Sequence, residues 1–294
     1  MIYLEPIGGL GNRMRTIDSM ISWCKLNQKD LTILWNVDQY LNCAFEELFK
    51  PLNVAGLRIH VINLPPANRF FWKHGVLLIP KFGKFIRYVK SKNKIKNDDL
   101  FVLYDSKHYL NKVDLVSKVD ELFYPKVKIT LDKLNINAED YWIESCYRMH
   151  PHELFYKEFV PIEKLRLKIN MVTSKFECTI GLHIRRTDHS TSIEYSTLDI
   201  FTKIIQEELL KDGNANFFVC SDTHETLKDL KLKFGDKILS NEIESYDRNN
   251  KNAISDALID LYCLAATRKI YGSYFSSFSQ VAADIGSVQE ISVK

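Results

Sequence analysis

An α/β fold built from two Rossmann-like domains is what the sequence predicts, on three grounds. The carboxyl half alternates apolar strand patterns with amphipathic helix patterns, the amino half opens on a strand, a glycine turn and a helix, and 294 residues exceed an ordinary single domain. Regular alternation of this kind is the sequence form of a right-handed parallel sheet. A boundary is expected near 165–175, where the mixed basic segment Glu163 to Lys175 precedes a strand, giving an amino-terminal domain of residues 1–170 and a carboxyl-terminal one of 171–294.

Taken in order, Ile2 to Leu4 reads as a short apolar strand, Gly8 to Gly11 as the turn that ends it, Met14 to Leu26 as a helix and Leu31 to Trp35 as a second strand. Beyond residue 60 the periodicity weakens, because Pro65, Pro66 and Pro80 interrupt it and Ser91 to Asp99 is polar. In the carboxyl half the apolar run 178–184 is a strand, 197–211 an amphipathic helix and 216–220 (Asn-Phe-Phe-Val-Cys) the next strand. A helix at 223–234, a short strand at 237–240, a helix at 254–266, a strand at 269–273, a helix at 277–286 and a strand at 289–293 continue the alternation.

Hydrophobic residues at 46% and charged residues at 26% place the chain among compact globular proteins rather than disordered ones. The net charge of +3 is too small to imply nucleic acid, and no recognition module accompanies the basic residues. Their distribution is uneven: from Arg69 to Lys96 nine basic side chains and no acidic one alternate with aromatics and aliphatics. Such a stretch suits an anionic membrane surface; the alternative is a helical hairpin with an apolar core face and solvated lysines. Six scattered cysteines without a Cys-x-x-Cys pair, and an amino terminus without a leader pattern, make the cytoplasm the expected compartment, with residues 69–96 lending a peripheral contact to the inner face of a membrane.

Four groups of residues carry chemistry. His183, Arg185, Arg186 and Asp188 follow the buried run Cys178 to Ile184, and the carboxyl edge of a parallel sheet is where such folds bind ligands. Arginine suits a phosphate there because its planar fork donates two parallel hydrogen bonds and stays charged when desolvated. Ser221-Asp222-Thr223 ends the next strand, where Asp222 is either ligand-facing or the N-cap of the following helix. Asp260 sits in the apolar run Ala257 to Ala266, a costly place for a carboxylate unless a donor such as a nucleobase N–H meets it. Ser277, Ser279 and Gln280 open a helix after a strand, offering hydroxyls and helix-start N–H groups to an anion. At the amino end the turn bearing Gly11 and Asn12 lacks the third glycine of a dinucleotide fingerprint, and Arg13 and Arg15 are expected to add polar reach beside it. No Asp-x-Asp occurs, so a carboxylate-held divalent cation has no obvious ligands and no metal is expected.

In that order, His183-x-Arg185-Arg186-x-Asp188, Ser221-Asp222, Asp260 and Ser279-Gln280 resemble the fucosyltransferases of the α1,6, α1,2 and protein O-fucosyltransferase superfamily, nearest the α1,6 and nodulation-type enzymes. Gly8-Gly9-Leu10-Gly11-Asn12 is similar to the glycine turn of the same superfamily. The resemblance implies a GT-B-like architecture, two Rossmann-like domains facing a cleft, and metal-independent, inverting transfer of fucose from GDP-fucose to a glycan or lipid-linked acceptor. It further implies that Arg185 grips the β-phosphate, that Asp260 reads guanine, that Ser279 and Gln280 lie by the pyrophosphate, that Asp222 flanks the donor and that Asn12 faces the acceptor or the transferred sugar. Glu194, one residue displaced from the family glutamate, Asp188 and His189 are the candidate general bases. Arg13 stands where related turns carry glutamine. Another sugar nucleotide on the same fold, or a nucleotide-sugar or glycan-binding module without catalysis, are the competing readings.

Overall fold

The computed structural model describes residues 2–64, 76–81, 84–89, 141–148, 154–187, 190–243 and 245–294. Chain contacts divide it into two compact units, Met1–Val160 and Pro161–Lys294.

In the first unit, strands β1 (Ile2–Pro6), β2 (Leu31–Asn36), β3 (Ile59–Leu64) and β6 (Tyr141–Ser145) form a wholly parallel sheet of order β3-β2-β1-β6. β1 and β2 are buried along their whole length, as expected of strands covered on both faces. Helix α1 (Leu10–Leu26) starts four residues earlier than the apolar pattern indicates. Gly8, at φ +84°, makes the turn, and Gly9 is the N-cap, so Gly11 and Asn12 already belong to the helix. Within the basic aromatic segment, β4 (Val76–Lys81) and β5 (Lys84–Val89) pair antiparallel. A helical hairpin is therefore not what forms there: Pro80 has no N–H to give a helix interior but is tolerated in a two-stranded ribbon. The rest of 69–96, on which the membrane expectation rests, lies outside the described residues.

The second unit carries β7 (Thr179–Ile184), β8 (Asn216–Ser221), β9 (Ile238–Leu239), β10 (Lys269–Ser273) and β11 (Gln289–Val293), all parallel, in the order β11-β10-β7-β8-β9. Counted along the chain this is 5-4-1-2-3, the doubly wound order, which reverses direction between β7 and β10. Helices α2 (Glu163–Thr173), α3 (Ser190–Tyr195), α4 (Leu198–Lys211), α5 (His224–Phe234), α6 (Lys251–Ala265) and α7 (Ser277–Gly286) complete it. On one side Ile180, Leu182, Ile184, Phe217 and Val219 of the sheet pack with Phe201 and Ile205 of α4. The division falls at residue 160 rather than within 165–175, because α2 turns Leu165 and Ile169 inward and packs against α6.

Both units show the Rossmann-like α/β arrangement read from the sequence. No described helix is long and apolar enough to cross a membrane.

Candidate active site in the second unit

The order reversal between β7 and β10 opens a crevice at the carboxyl ends of those strands, and the sequence places its charged motif there. Ser273, the last residue of β10, ties the two strand ends together: its hydroxyl donates to the His183 carbonyl (3.1 Å) and accepts from the Arg185 N–H (3.0 Å). Arg185 and Arg186 emerge half-buried from the strand. Arg186 turns aside, its Nη1 donating to the Ser196 carbonyl (3.3 Å).

The loop after β7 is shaped by Asp222. Its Oδ1 accepts the Arg186 N–H (2.7 Å), and its Oδ2 accepts both the N–H (3.1 Å) and the hydroxyl (2.6 Å) of Thr187. The N-cap alternative for Asp222 is thereby corrected: Thr223 caps α5, accepting the Thr226 N–H. A carboxylate saturated by three donors is a brace for the arginine loop, and a β-strand end leaves those N–H groups needing one.

His183 is buried and stacks on Phe278 at 5.0 Å. Burial, then the neighbouring Arg185, push its pKa down to about 4, with Asp222 opposing, so the ring is neutral at pH 7. Its Nδ1 has no hydrogen-bond partner among the described residues.

Asp260, on α6, is 4% exposed and its Oδ1 accepts no hydrogen bond from the described residues. Burial raises its pKa to about 8; the Asn241 carboxamide opposes that rise and Asp256, one turn away, adds to it. The Tyr246 hydroxyl is likewise buried without a hydrogen-bond partner among the described residues, and burial followed by the Asp260 charge pushes the phenol up to about 12, while the buried Asn241 Nδ2 is directed at Asp260 without full hydrogen-bond geometry. A buried carboxyl with an open acceptor oxygen thus has two incompletely used donors, Asn241 Nδ2 and the Tyr246 hydroxyl, near it. A native interior leaves such groups open where something else meets them. Asn241 and Tyr246 escaped sequence reasoning because they lie in an irregular loop without periodicity; the only clue was that Asp260 required a partner.

The start of α7 faces the same strand ends. Ser276 is the N-cap, accepting the Phe278 N–H (3.3 Å), and Ser277 is the first helical residue. Phe275, at φ +64°, adopts the left-handed region that bulky residues avoid. Its neighbour Tyr274 is held by the hydroxyl of Ser192, which donates to the Tyr274 carbonyl (2.6 Å), and by Ser196 Oγ, which accepts the Tyr274 N–H (2.8 Å). Those serines fasten α3 to this loop, and α3 carries Glu194, which is solvent-exposed. Gln280 is half-buried. Ser279 is fully buried and donates its hydroxyl to Glu290 Oε1 of β11 (2.9 Å). Gly272 makes room for that contact, since a Cβ there would lie 2.2 Å from Ser279 Oγ. Asp188 and His189 lie outside the described residues.

In the first unit, the glycine turn is braced rather than open. Arg13 is fully buried, donating to the carbonyls of Gly8 (2.8 Å) and Asn36 and to Asp38 Oδ1 (3.1 Å), with its guanidinium 5.0 Å from the Trp35 ring. Arg15 is buried too, its Nε donating to the Cys146 carbonyl (2.9 Å). The expectation that these arginines add polar reach is corrected: because α1 begins at Leu10, both fall on faces turned into the unit. Gly11 is buried and Asn12 half-buried, the latter's carbonyl accepting the Thr16 hydroxyl. Among the described residues no group of three His, Cys, Asp or Glu side chains gathers as a metal site would require.

No family model matches the chain, and no curated protein matches it. Solved structures do. The fucosyltransferase NodZ from Bradyrhizobium superposes with a TM-score of 0.61 at 18% identity, over 96% of this chain and 91% of that one. A point mutant of Arabidopsis thaliana FUT1 in complex with GDP gives 0.58 at 14% identity, over 99% of this chain and 69% of that one. POFUT1 in complex with GDP gives 0.52 at 11% identity, over 99% and 98%. The chain therefore shares the Rossmann-like GT-B fold of the fucosyltransferases that its motifs resemble.

Proposed function

We propose that this protein is a glycosyltransferase that moves fucose from GDP-fucose to a glycan or glycolipid acceptor, without a metal and with inversion at the sugar carbon. The observation that carries the reading is the pairing, within one unit, of a cationic strand end with a buried carboxyl whose Oδ1 accepts no hydrogen bond from the described residues and which has the Asn241 carboxamide beside it. Arg185 and the start of α7 at Ser277 and Gln280 suit a diphosphate. Asp260 accepts from the two N–H groups of a guanine edge while Asn241 donates to its carbonyl, an order of acceptor and donor that adenine and uracil do not match. His183 and Phe278 wall the same region. Supporting the donor assignment, NodZ has been soaked with GDP-fucose and shares this fold over 96% of the chain.

Cleavage of the bond from sugar to phosphate puts negative charge on the departing GDP and positive charge on the ring. Arg185 stabilises the first, held in place through its own N–H by Ser273 and by the Asp222-braced loop that follows. Inversion needs a base on the opposite face of the ring to take the acceptor hydroxyl proton. Glu194 is assigned that role, with Asp188 as the alternative, because α3 is tethered to the Tyr274 loop. Ser279 and Asp222 act at one remove, the first by docking α7 on β11 and the second by shaping the arginine loop. Asn12 is assigned to the acceptor or transferred sugar. Six scattered cysteines without a Cys-x-x-Cys pair support a cytoplasmic site of action.

Incubation with GDP-fucose, GDP-mannose and UDP-sugars over a glycan and glycolipid acceptor panel, with released nucleoside diphosphate as readout, tests this. Acceptor-dependent GDP release from GDP-fucose is the expected result. GDP binding without release would make the protein a binding module, and release of UDP alone would overturn the donor assignment.

A further inference from the structure

Helix α2 meets its unit through Leu165 and Ile169, and its other side is unusual. At 100° per residue Lys164, Leu167, Lys168, Met171 and, just past the end, Lys175 fall within an arc of about 100°. Leu167 is 59% and Met171 64% exposed there, although large apolar side chains elsewhere in this unit are mostly buried. Helix α5 repeats the pattern with Lys228, Lys231 and Leu232, the last 77% exposed. Lys168, Met171, Lys175, Lys228, Lys231 and Leu232 line the two walls of one open groove of about 1220 Å³. Glu225 and Glu242 are the acidic residues of that lining, against four lysines.

We infer that this face of the second unit is a docking surface for an anionic lipid bilayer. Apolar tips raised between lysines match what a charged interface offers: the tips enter the boundary between head groups and acyl chains, while each ammonium stays with a phosphate at its own depth. Each lysine near an anionic leaflet contributes enough that four make attachment measurable. Leu167 lies outside the groove, and Met171 and Leu232 on its walls are still 64% and 77% exposed, so a fluid surface reaches all three. Asn241 and Tyr246, beside Asp260 in the site described above, line the same groove, so the surface borders that site, while its four lysines and three apolar tips are not among the groups assigned to the nucleotide.

Flotation of the full chain with vesicles of phosphatidylcholine, and of phosphatidylcholine with about 30% phosphatidylglycerol, at low and high salt tests the inference. Binding to the anionic vesicles alone, lost at about 0.5 M salt where screening shortens the reach of each charge to a few ångströms, is expected. Lys168→Glu with Lys231→Glu should lower the partition coefficient at least about tenfold, and Met171→Ser with Leu232→Ser should lower it at unchanged charge. Circular dichroism of each variant verifies that it is folded. Absence of flotation at low salt overturns the inference. So does flotation that both folded double variants retain, which would transfer membrane attachment to the segment 69–96, and so does binding to acidic protein in place of vesicles.

Discussion

Asp222 and Thr187 are joined twice, the Asp222 Oδ2 accepting both the backbone N–H and the hydroxyl of Thr187, at 3.1 and 2.6 Å. With Oδ1 on the Arg186 N–H, one carboxylate from the end of β8 sets the path of the chain leaving β7. Asp222→Asn keeps the shape but points an NH2 group at one of these donors. The expected result is a loss of about 1–3 kcal/mol in unfolding free energy, with weaker GDP binding because the arginine loop is released. Denaturant unfolding and calorimetric titration of GDP measure both; a variant that unfolds normally and binds GDP normally removes the brace.

Arg185→Ala should lower turnover by about a hundredfold or more, the scale for losing one preorganised charge donor. Arg185→Lys should recover little, since a point charge cannot replace the planar fork. Steady-state kinetics on the folded variants decide it, and near-normal turnover for Arg185→Ala would defeat the assignment.

Asp260 couples binding to pH. Burial raises its pKa to about 8 from an ordinary 3.8, and two N–H donors of guanine need the charged form. GDP affinity is therefore expected to rise as pH increases toward 8 and to level off above it. Unliganded stability runs the other way: the folded state keeps a proton that the unfolded chain releases near 4, so stability falls as pH rises from about 4 through 8. Asp260→Asn should remove both dependences, raising the melting temperature at pH 8 while abolishing preference for GDP over UDP. Melting curves with and without each nucleotide from pH 5 to 9 check the pair of signs.

What was legible in the sequence follows from what periodicity can carry. The strands at 269–273 and 289–293 and the helix at 277–286 have the bounds that their apolar patterns indicate, because buried parallel strands and one-sided helices write their burial into residue order. The positions of His183 and Arg185 at a sheet edge were legible for the same reason. Arg13 was not, since a buried arginine looks like an exposed one until Asp38, 25 residues away, and the Asn36 carbonyl are brought to it. Ser279 illustrates a subtler limit. Its place in the motif was readable, but the partner of its hydroxyl, Glu290, arrives from another strand through the space Gly272 leaves.

That space yields a prediction. Gly272→Ala would set a methyl group 2.2 Å from Ser279 Oγ and 2.7 Å from Glu290 Oε1, so α7 must shift away from β10 or the Ser279 to Glu290 bond must break. Overpacking of this kind costs about 1–3 kcal/mol. Because α7 begins at the anion end of the site, GDP affinity should fall further than the stability loss alone explains. The methyl would also lie 2.5 Å from the Ser279 Cβ, so Ser279→Gly, which removes both Oγ and Cβ, should let the double variant regain part of the melting temperature relative to the two single losses added together, whereas Ser279→Ala should not. Strict additivity of Gly272→Ala and Ser279→Gly would place the collision elsewhere.

Glu208 offers a test of the fold apart from the site. This α4 carboxylate is 2% exposed and accepts from Lys269 Nζ (2.7 Å), Lys211 Nζ (2.9 Å) and the Tyr271 hydroxyl (3.0 Å), fastening α4 to β10. Burial alone would raise its pKa, but the three hydrogen bonds together outweigh it and hold the group down at about 2. A carboxyl lowered in the folded state adds stability that is present above its unfolded value of 4.5 and is lost as pH falls from there toward 2. The full shift corresponds to about 3 kcal/mol. Lys211 is 67% exposed and water screens its share, so about 1–2 kcal/mol is expected. Glu208→Gln should lower unfolding free energy by that amount at pH 7, and the gap between variant and parent should close as both are titrated to pH 2–3. A gap that stays constant across that range would mean that packing, and not the charge on Glu208, holds the helix to the strand.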